Sequence, residues 1–290
     1  MKYWSILTLA ALLHTCAIAQ QYAVALIPDS LRKAANVVKR TDVHEVTIES
    51  KLRAEYRYTV AYTILNAQGD NYATHYERYD KFQSINHIEA HLYDALGNKI
   101  KSLKKNEIND LSGMGAGTEI SDDRIKSFGF YHKTYPFTVE FIVSVNMKGL
   151  MFLPNWYAIE GERLAVEQSS FEITTAPGIS VLSKAFNYPG QPVQTSNNGQ
   201  QKIKWEVRQL PAIQHEYAAP PWHEISPAVF TVMKDFQMDQ YQGSNESWAR
   251  FGSFVYELIK GRDELPPLLK GKVQELIAGK NTTYEKVAAL

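Results

Sequence analysis

From Arg53 onward the chain alternates with a period of two. Ala54, Tyr56, Tyr58, Val60, Tyr62 and Ile64 share one face, while Arg53, Glu55, Arg57, Thr59 and Thr63 share the other. A strand turns each successive side chain to the opposite side, so this pattern predicts a β-strand with one wet face. Asn66-Ala67-Gln68-Gly69-Asp70 predicts a turn, and residues 71–79 return as a partner strand. Ile88, Ala90 and Leu92 alternate with Glu89, His91 and Tyr93, followed by a tight connection at 95–98 into 99–103. The strongest alternation is Phe137, Val139, Phe141, Val143 and Val145. Shorter strands are expected at 164–168, 171–175, 202–208 and 228–232, with Ile203, Trp205 and Val207 inward. Many short alternating strands separated by turn signals predict a mainly β fold, an antiparallel β-sandwich.

The period changes near the end. Trp248, Phe251, Val255, Leu258 and Ile259 recur at i, i+3, i+7, i+10 and i+11, an amphipathic helix. Ser244 or Asn245 is the expected N-cap, and Gly261 the left-handed stop. Pro266 and Pro267 open a second helix, with Leu269, Val273, Leu276 and Ile277 as its stripe and Gly279 as its end. Thr282-Thr283-Tyr284-Glu285 has the capping-box spacing for a third. That helix reaches Leu290 without a C-cap, and the expectation is a second domain begun but not completed. At the other end, residues 20–40 suggest a short helix from Pro28-Asp29-Ser30 with Leu31, Ala34, Ala35 and Val38 on one face. Residues 104–127 are polar and glycine-bearing and read as a surface loop.

The first residues carry a leader. Lys2 precedes a short apolar run at 4–13 (WSILTLAALL), and Ala17-Ile18-Ala19 fits a small-x-small cleavage site before Gln20. The run is about ten residues, where a membrane span needs roughly 20, so export without a membrane span is expected. Lipid anchoring at Cys16 is the alternative, but Leu13-His14-Thr15 fits it poorly. Cys16 is the single cysteine, so a chain cleaved at Ala19 has no thiol for a disulfide, a zinc site or a nucleophile. The expected division is a signal peptide at 1–19, a β-sandwich domain at 20–243 and a helical segment at 244–290.

Charge adds one exclusion. Lys+Arg and Asp+Glu are both 31 in 290 residues, so there is no basic field for nucleic acid or anionic lipid.

Candidate chemistry is sparse. Gly113-Met114-Gly115-Ala116-Gly117 lacks the Gly-Lys-Ser/Thr of a phosphate loop and reads as a flexible connection. His87 and His91 sit in a strand pattern, where residues four apart are roughly 13 Å from each other, too far to share an ion. His215-Glu216 and His223-Glu224 begin a metalloprotease motif but lack its second His. No metal and no cofactor is therefore expected. Asp122/Asp123, Glu160/Glu162 and Asp235/Asp239 are carboxylate pairs that a hydrolase could divide into acid and base roles, though solvated charge is the simpler reading. Asn155-Trp156-Tyr157 and Pro221-Trp222-His223 fall in apparent connections. Trp156, Tyr157 and Trp222 are thus the candidate platform for a glycan or peptide, unless they only cover the ends of the sandwich.

One ensemble of residues is familiar: Ser121-Asp122-Asp123-Arg124, Trp205, Pro220-Pro221-Trp222, Asp235-Phe236, Tyr241-Gln242-Gly243, and above all 247–266, from Ser247-Trp248 to Leu265-Pro266. It resembles the N-terminal domain that precedes a transglutaminase-like domain in secreted bacterial proteins, over about 43–290. The resemblance implies that the sandwich ends near 236–243 and that the helices open a transglutaminase-like fold. It also implies a Cys nucleophile at a helix N-terminus with His and Asp on later strands; this chain carries none of the three at matching positions. The expectation is an exported, non-catalytic scaffold or interaction module, truncated before the catalytic residues. Its partner would be a protein or a separately encoded transglutaminase-like domain docking on the terminal helices. A carbohydrate- or peptide-binding module and a carboxylate-dependent hydrolase are the alternatives.

Overall fold

The computed structural model describes residues 21–113, 121–214 and 216–290. The expected signal peptide with Cys16, the glycines at 115 and 117, and His215 lie outside the described residues. In chain order the elements are a 3₁₀ turn (Val24–Leu26), α1 (Asp29–Arg32), β1 (Val37–Ile48) and β2 (Arg53–Ile64). A 3₁₀ stretch (Ala67–Ala73) leads to β3 (Thr74–Tyr79), β4 (Gln83–Tyr93), β5 (Lys99–Ser102), β6 (Asn109–Ser112) and β7 (Arg124–Gly129). Then come β8 (Phe137–Lys148), β9 (Trp156–Tyr157), β10 (Leu164–Thr175), β11 (Val181–Phe186), β12 (Val193–Asn197) and β13 (Gln200–Leu210). The chain closes with α2 (Trp222–Ile225), β14 (Ala228–Met233), β15 (Asp235–Met238), β16 (Tyr241–Ser244), α3 (Trp248–Ile259), α4 (Pro267–Ile277) and α5 (Thr283–Ala289).

The fold is mainly β, as the alternation predicts. Eight strands form one large sheet in the order β12-β13-β10-β1-β2-β8-β4-β5. Its neighbours are antiparallel except β1 and β10, which run parallel and make the sheet mixed. Parallel partners need a long crossover, and everything from β2 to β9 supplies it. Two three-stranded sheets, β3-β7-β6 and β11-β14-β9, pack on one face. The apolar positions of β2 and β8 meet Phe128 and Phe130 from the first small sheet, and Trp156, Val229 and Met233 from the second, in one continuous core.

On the opposite face the N-terminal segment packs a smaller cluster of Val24, Ile27, Leu31, Ala35, Val38 and Ala165. The expected helix here shrinks to the single turn of α1, because Ala34 takes a left-handed φ of 63°. Val38 then belongs to β1, yet it still packs with Leu31 and Ala35. Leu31, Ala35 and Val38 were legible as a buried set, whereas Ala34 is exposed, and the geometry that assembles them was not legible.

Other departures share one cause. The stretch at 104–127 contains β6 and β7, and β6 is exposed along its length. β11 and β12 are edge strands whose residues are mostly exposed. A strand with no buried face has no reason to alternate. The two short strands expected at 164–168 and 171–175 are one, β10.

In the helical segment, Ser247 rather than Ser244 or Asn245 caps α3, its Oγ accepting from Arg250 N at 3.3 Å. Gly261 and Gly279 adopt φ of 73° and 77° as expected, and Thr282 with Glu285 forms the capping box of α5. Phe254 anchors α3: it is buried edge-on against Phe236, ring centroids 4.9 Å apart. Gly243 lets that ring in, since a Cβ there would stand 2.2 Å from the Phe236 ring.

Candidate functional site

Between the two small sheets the large sheet is left partly uncovered, and a cavity of about 290 Å³ opens onto β1 and β2. Its floor is the face of β2 that presents Tyr56, Tyr58, Val60 and Tyr62. One wall comes from β3, with His75, Tyr76 and Glu77, and the other from the β9 region, with Asn155, Trp156, Tyr157 and Glu160.

The polar floor depends on a bulge in β1. Lys39 pairs with Tyr62 and Thr41 with Ala61, so Arg40 is an extra residue. One inserted residue switches the face presented by the rest of the strand. Lys39 before the bulge and Asp42 and His44 after it therefore look into the same cavity. Arg40 points to the other face, where it donates to the carbonyls of Gln21, Tyr22 and Ala23 and pairs with Glu167.

Lys39 and Asp42 are both almost wholly buried. The Lys39 ammonium uses its three N–H groups on Asp42 Oδ2 (3.2 Å), Ala158 O (3.2 Å) and Glu160 Oε2 (2.6 Å). Asp42 also accepts from the Ser169 hydroxyl, and Ser169 Oγ accepts from Trp156 Nε1 at 2.8 Å. His44 Nε2 lies 2.8 Å from Asp42 Oδ1, and His44 Nδ1 lies 2.6 Å from the Tyr56 hydroxyl. Asp42 can only accept, so Nε2 carries the proton and the phenol donates to Nδ1 in the neutral ring. At the β3 wall Tyr58 donates to Glu77 and sits 2.7 Å from His75 Nε2. Tyr62 donates to Glu160 Oε1 at 3.1 Å.

Electrostatics fix these roles. Burial alone would push the Asp42 carboxyl up and the Lys39 ammonium down. Their mutual attraction, with His44 and Ser169 on Asp42 and Glu160 on Lys39, outweighs burial, holding Asp42 well below the carboxylate range and Lys39 above its usual value. Burial and then neighbouring carboxylates push the Tyr56, Tyr58 and Tyr62 phenols up, and Tyr72 up to about 12. Asp42, His44 and Tyr56 stand in the order carboxylate, imidazole, hydroxyl, but the phenol is held protonated. The phenol hydrogen-bonds one ring nitrogen of His44 while Asp42 holds the other, which fixes the orientation of all three side chains.

The expected platform is redistributed. Trp156 is buried at 2% exposure, so it is no exposed surface; it supports the cleft through Ser169. The connection it was read from folds as a short strand that pairs with β14. Tyr157 is a half-buried wall residue, edge-on to Phe230. Trp222 lies in the one-turn α2 and does not line the cavity. Of the carboxylate pairs, Glu160 enters the cleft without Glu162. Asp122 accepts from Lys81 N at 3.3 Å, and Asp235 lies 3.8 Å from Lys51. His87 and His91 stand on either side of Glu89, at 3.4 and 2.8 Å. Among the described residues no three His, Asp or Glu converge on a metal site, and no helix is long and apolar enough to cross a membrane. Sequence reading missed Lys39, Asp42, His44, Glu77 and Ser169. The one available signal was five ionisable side chains, Lys39, Arg40, Asp42, His44 and Glu45, set among the β-branched residues of 37–48.

The helical segment shows the reverse chemistry. Trp248, Tyr256 and Ile259 of α3 are exposed, as are Leu268 of α4 and Tyr284 and Val287 of α5. A groove of about 520 Å³ beside Trp248 and Phe251 is lined by Met151, Phe152 and Val232.

Fold and cleft together define a mainly β module with a polar, tyrosine-lined recess. The family model of DUF3857, a domain of unknown function with a solved structure, matches residues 50–214. The match exceeds half of the chain, and the chain belongs to that family. It takes in β2, β3, β9 and Glu160, while Lys39, Asp42 and His44 precede it. Among solved structures, a protein from Parabacteroides distasonis ATCC 8503 named as a candidate protease superposes with a TM-score of 0.65 at 16% identity, covering 88% of this chain and 49% of that one. At that identity the likeness shows the fold alone. An M1 zinc metallopeptidase from Deinococcus radiodurans matches at a TM-score of 0.30 and 9% identity, over 72% of this chain and 46% of that one, too distant to carry an argument. The chain spans about half the length of these structures. No curated protein matches it.

Proposed function

We propose that the chain is an exported, non-catalytic β-sandwich module of a transglutaminase-like family, a scaffold that presents its terminal helices to a separate transglutaminase-like domain. The observation that carries this reading is the exposed apolar side of α3, α4 and α5. Not one residue of α4 or α5 is buried, and α3 buries only Phe254. Apolar surface of this extent on helices tied to the sandwich through α3 marks an interaction face. The resemblance at 247–266 indicates the partner.

The test uses residues 20–290 and a transglutaminase-like domain with its Cys, His and Asp, encoded downstream or in a neighbouring frame. Mixing the two should shift Trp248 emission to shorter wavelength, a change lost in Trp248→Phe, and residues 20–290 alone should show no thiol-dependent transfer or peptidase activity. Activity of that kind in residues 20–290, or helices that stay solvated in the mixture, overturns the reading.

A further inference from the structure

The cleft between the small sheets is a second feature, independent of the helices and of the scaffold reading above. Its donors and acceptors are unequally committed. All three N–H groups of Lys39 are used internally. The hydroxyl protons of Tyr56, Tyr58, Tyr62 and Ser169, and the Trp156 indole N–H, each go to a neighbour on the floor. The floor therefore has no side-chain donor left to offer, and the remaining donors are on the walls, among them the Asn155 amide and the hydroxyls of Tyr76 and Tyr157. Acceptors remain: Glu77 receives Tyr58 and faces His75 through Oε2 alone, and its Oε1 has no partner among the described residues. Charge points the same way, since Asp42, Glu77 and Glu160 outnumber the single ammonium of Lys39. Around them stand the rings of Tyr58, Tyr62, Tyr76 and Tyr157.

A site with spare acceptors, surplus negative charge and aromatic walls suits a compact cation with several N–H groups. Such a cation gains charge-assisted hydrogen bonds from a carboxylate and attraction from ring faces. A neutral sugar, whose hydroxyls need donors as well as acceptors, finds only half of what it requires on this floor. A cavity of about 290 Å³ has room for one amino-acid-sized group. We propose that this cleft binds a primary ammonium on a short apolar stem, with Glu77 as its principal acceptor and the tyrosine rings around the stem. The lysine side chain and the protonated amino sugar share this chemistry, and the probes separate them.

The experiment follows backbone amide shifts of residues 20–290 by NMR while adding Nα-acetyl-lysine methylamide, its Nε-acetylated counterpart, glucosamine or glucose. The lysine probe should saturate, with shifts concentrated on β2 and β3, and the neutral Nε-acetylated form should not. Glucosamine binding with glucose silent assigns the ammonium to an amino sugar instead. Glu77→Gln keeps an acceptor for Tyr58 and should weaken binding by about ten- to a hundredfold with an unchanged unfolding midpoint. Tyr76→Ala, at an exposed ring on the rim, should weaken it a few-fold and reports on the site even if Glu77→Gln loses stability. Equal binding of the charged and acetylated lysine probes, unaltered affinity in Glu77→Gln, or no shift from any ammonium probe up to about 10 mM overturns the proposal. These outcomes are read on β2 and β3 and leave the helix reading untouched.

Discussion

At the floor of the cleft, Lys39, Asp42 and Ser169 are buried and each is hydrogen-bonded; along α3 to α5, Trp248, Leu268 and Tyr284 stand in solvent with nothing packed over them. One region buries its polar groups and the other exposes its apolar ones. Both depart from the ordinary partition of residues, and in opposite directions. The cleft is self-sufficient because each desolvated charge has found a partner within the sheet system, which is what makes burial of a charge tolerable. Among the described helices of this segment only α3 reaches the sandwich core, through buried Phe254 and half-buried Phe251 and Leu258. The first region is satisfied within the fold, and the second leaves apolar side chains exposed, the face on which the proposed partner would dock.

Four measurements break or sharpen that contrast. Lys39→Met removes one partner of a buried pair and should cost about 3–5 kcal/mol in urea unfolding. Adding Asp42→Leu should restore a good part of it, because an apolar pair of similar size can replace a buried ion pair. If the double variant is as unstable as the single one, the network supports the sheet in a way beyond charge compensation.

The second concerns pH. In the folded state Tyr22, Tyr56, Tyr58 and Tyr62 hold their protons above the ordinary phenol value, chiefly through burial. The unfolded chain ionises near pH 10, so this contribution is intact below that pH and is lost as pH rises. Part of the phenolate absorbance should therefore appear only together with loss of β circular dichroism; complete ionisation of the tyrosines ahead of unfolding contradicts the buried floor. Asp42 has the opposite sign. Its depressed value stabilises the fold above about pH 4, and that contribution fades as pH falls.

Trp156→Phe removes the indole donor to Ser169 and leaves a smaller ring in a buried place, and at least about 1–3 kcal/mol of stability should go with it. Trp248→Ala, on the exposed helix face, should change unfolding by no more than about 0.5 kcal/mol while abolishing docking of the partner domain. A large loss of stability in Trp248→Ala would mean that the face is already covered within the chain.

Much of the architecture was readable where one strand face is wet and the other dry. β2 and β8 announce themselves because one face is apolar core and the other is mostly polar, even where Ala61, Thr63, Thr138 and Ser144 of that second face are buried, and this enforces the period of two. The ends of α3, α4 and α5 were readable because caps act within four residues: Gly261, Gly279 and the Thr282–Glu285 pair need no distant partner. The edge strands β11 and β12 were invisible because nothing in their surroundings demands alternation. Trp156 was read as exposed because a two-residue strand leaves no periodic trace.

The cleft itself was beyond sequence reading. Lys39 meets Ala158 and Glu160 across about 120 residues, and Ser169 reaches Asp42 across 127. No local pattern encodes such meetings. The bulge at Arg40 is set by how β1 pairs with β2, and only that pairing turns Lys39 and Asp42 to the same side. The sequence by itself determined the mainly β class, the passage to helix near Ser247, the glycine stops after α3 and α4 and the capping box of α5, all products of neighbours within a turn or a strand. Tertiary structure alone decided that β10 runs parallel to β1, that Phe254 rather than Trp248 anchors α3, and that scattered polar residues become one recess. The physical reason is range: backbone sterics and caps act over a few residues, whereas burial and charge pairing are settled only when distant segments share one desolvated space.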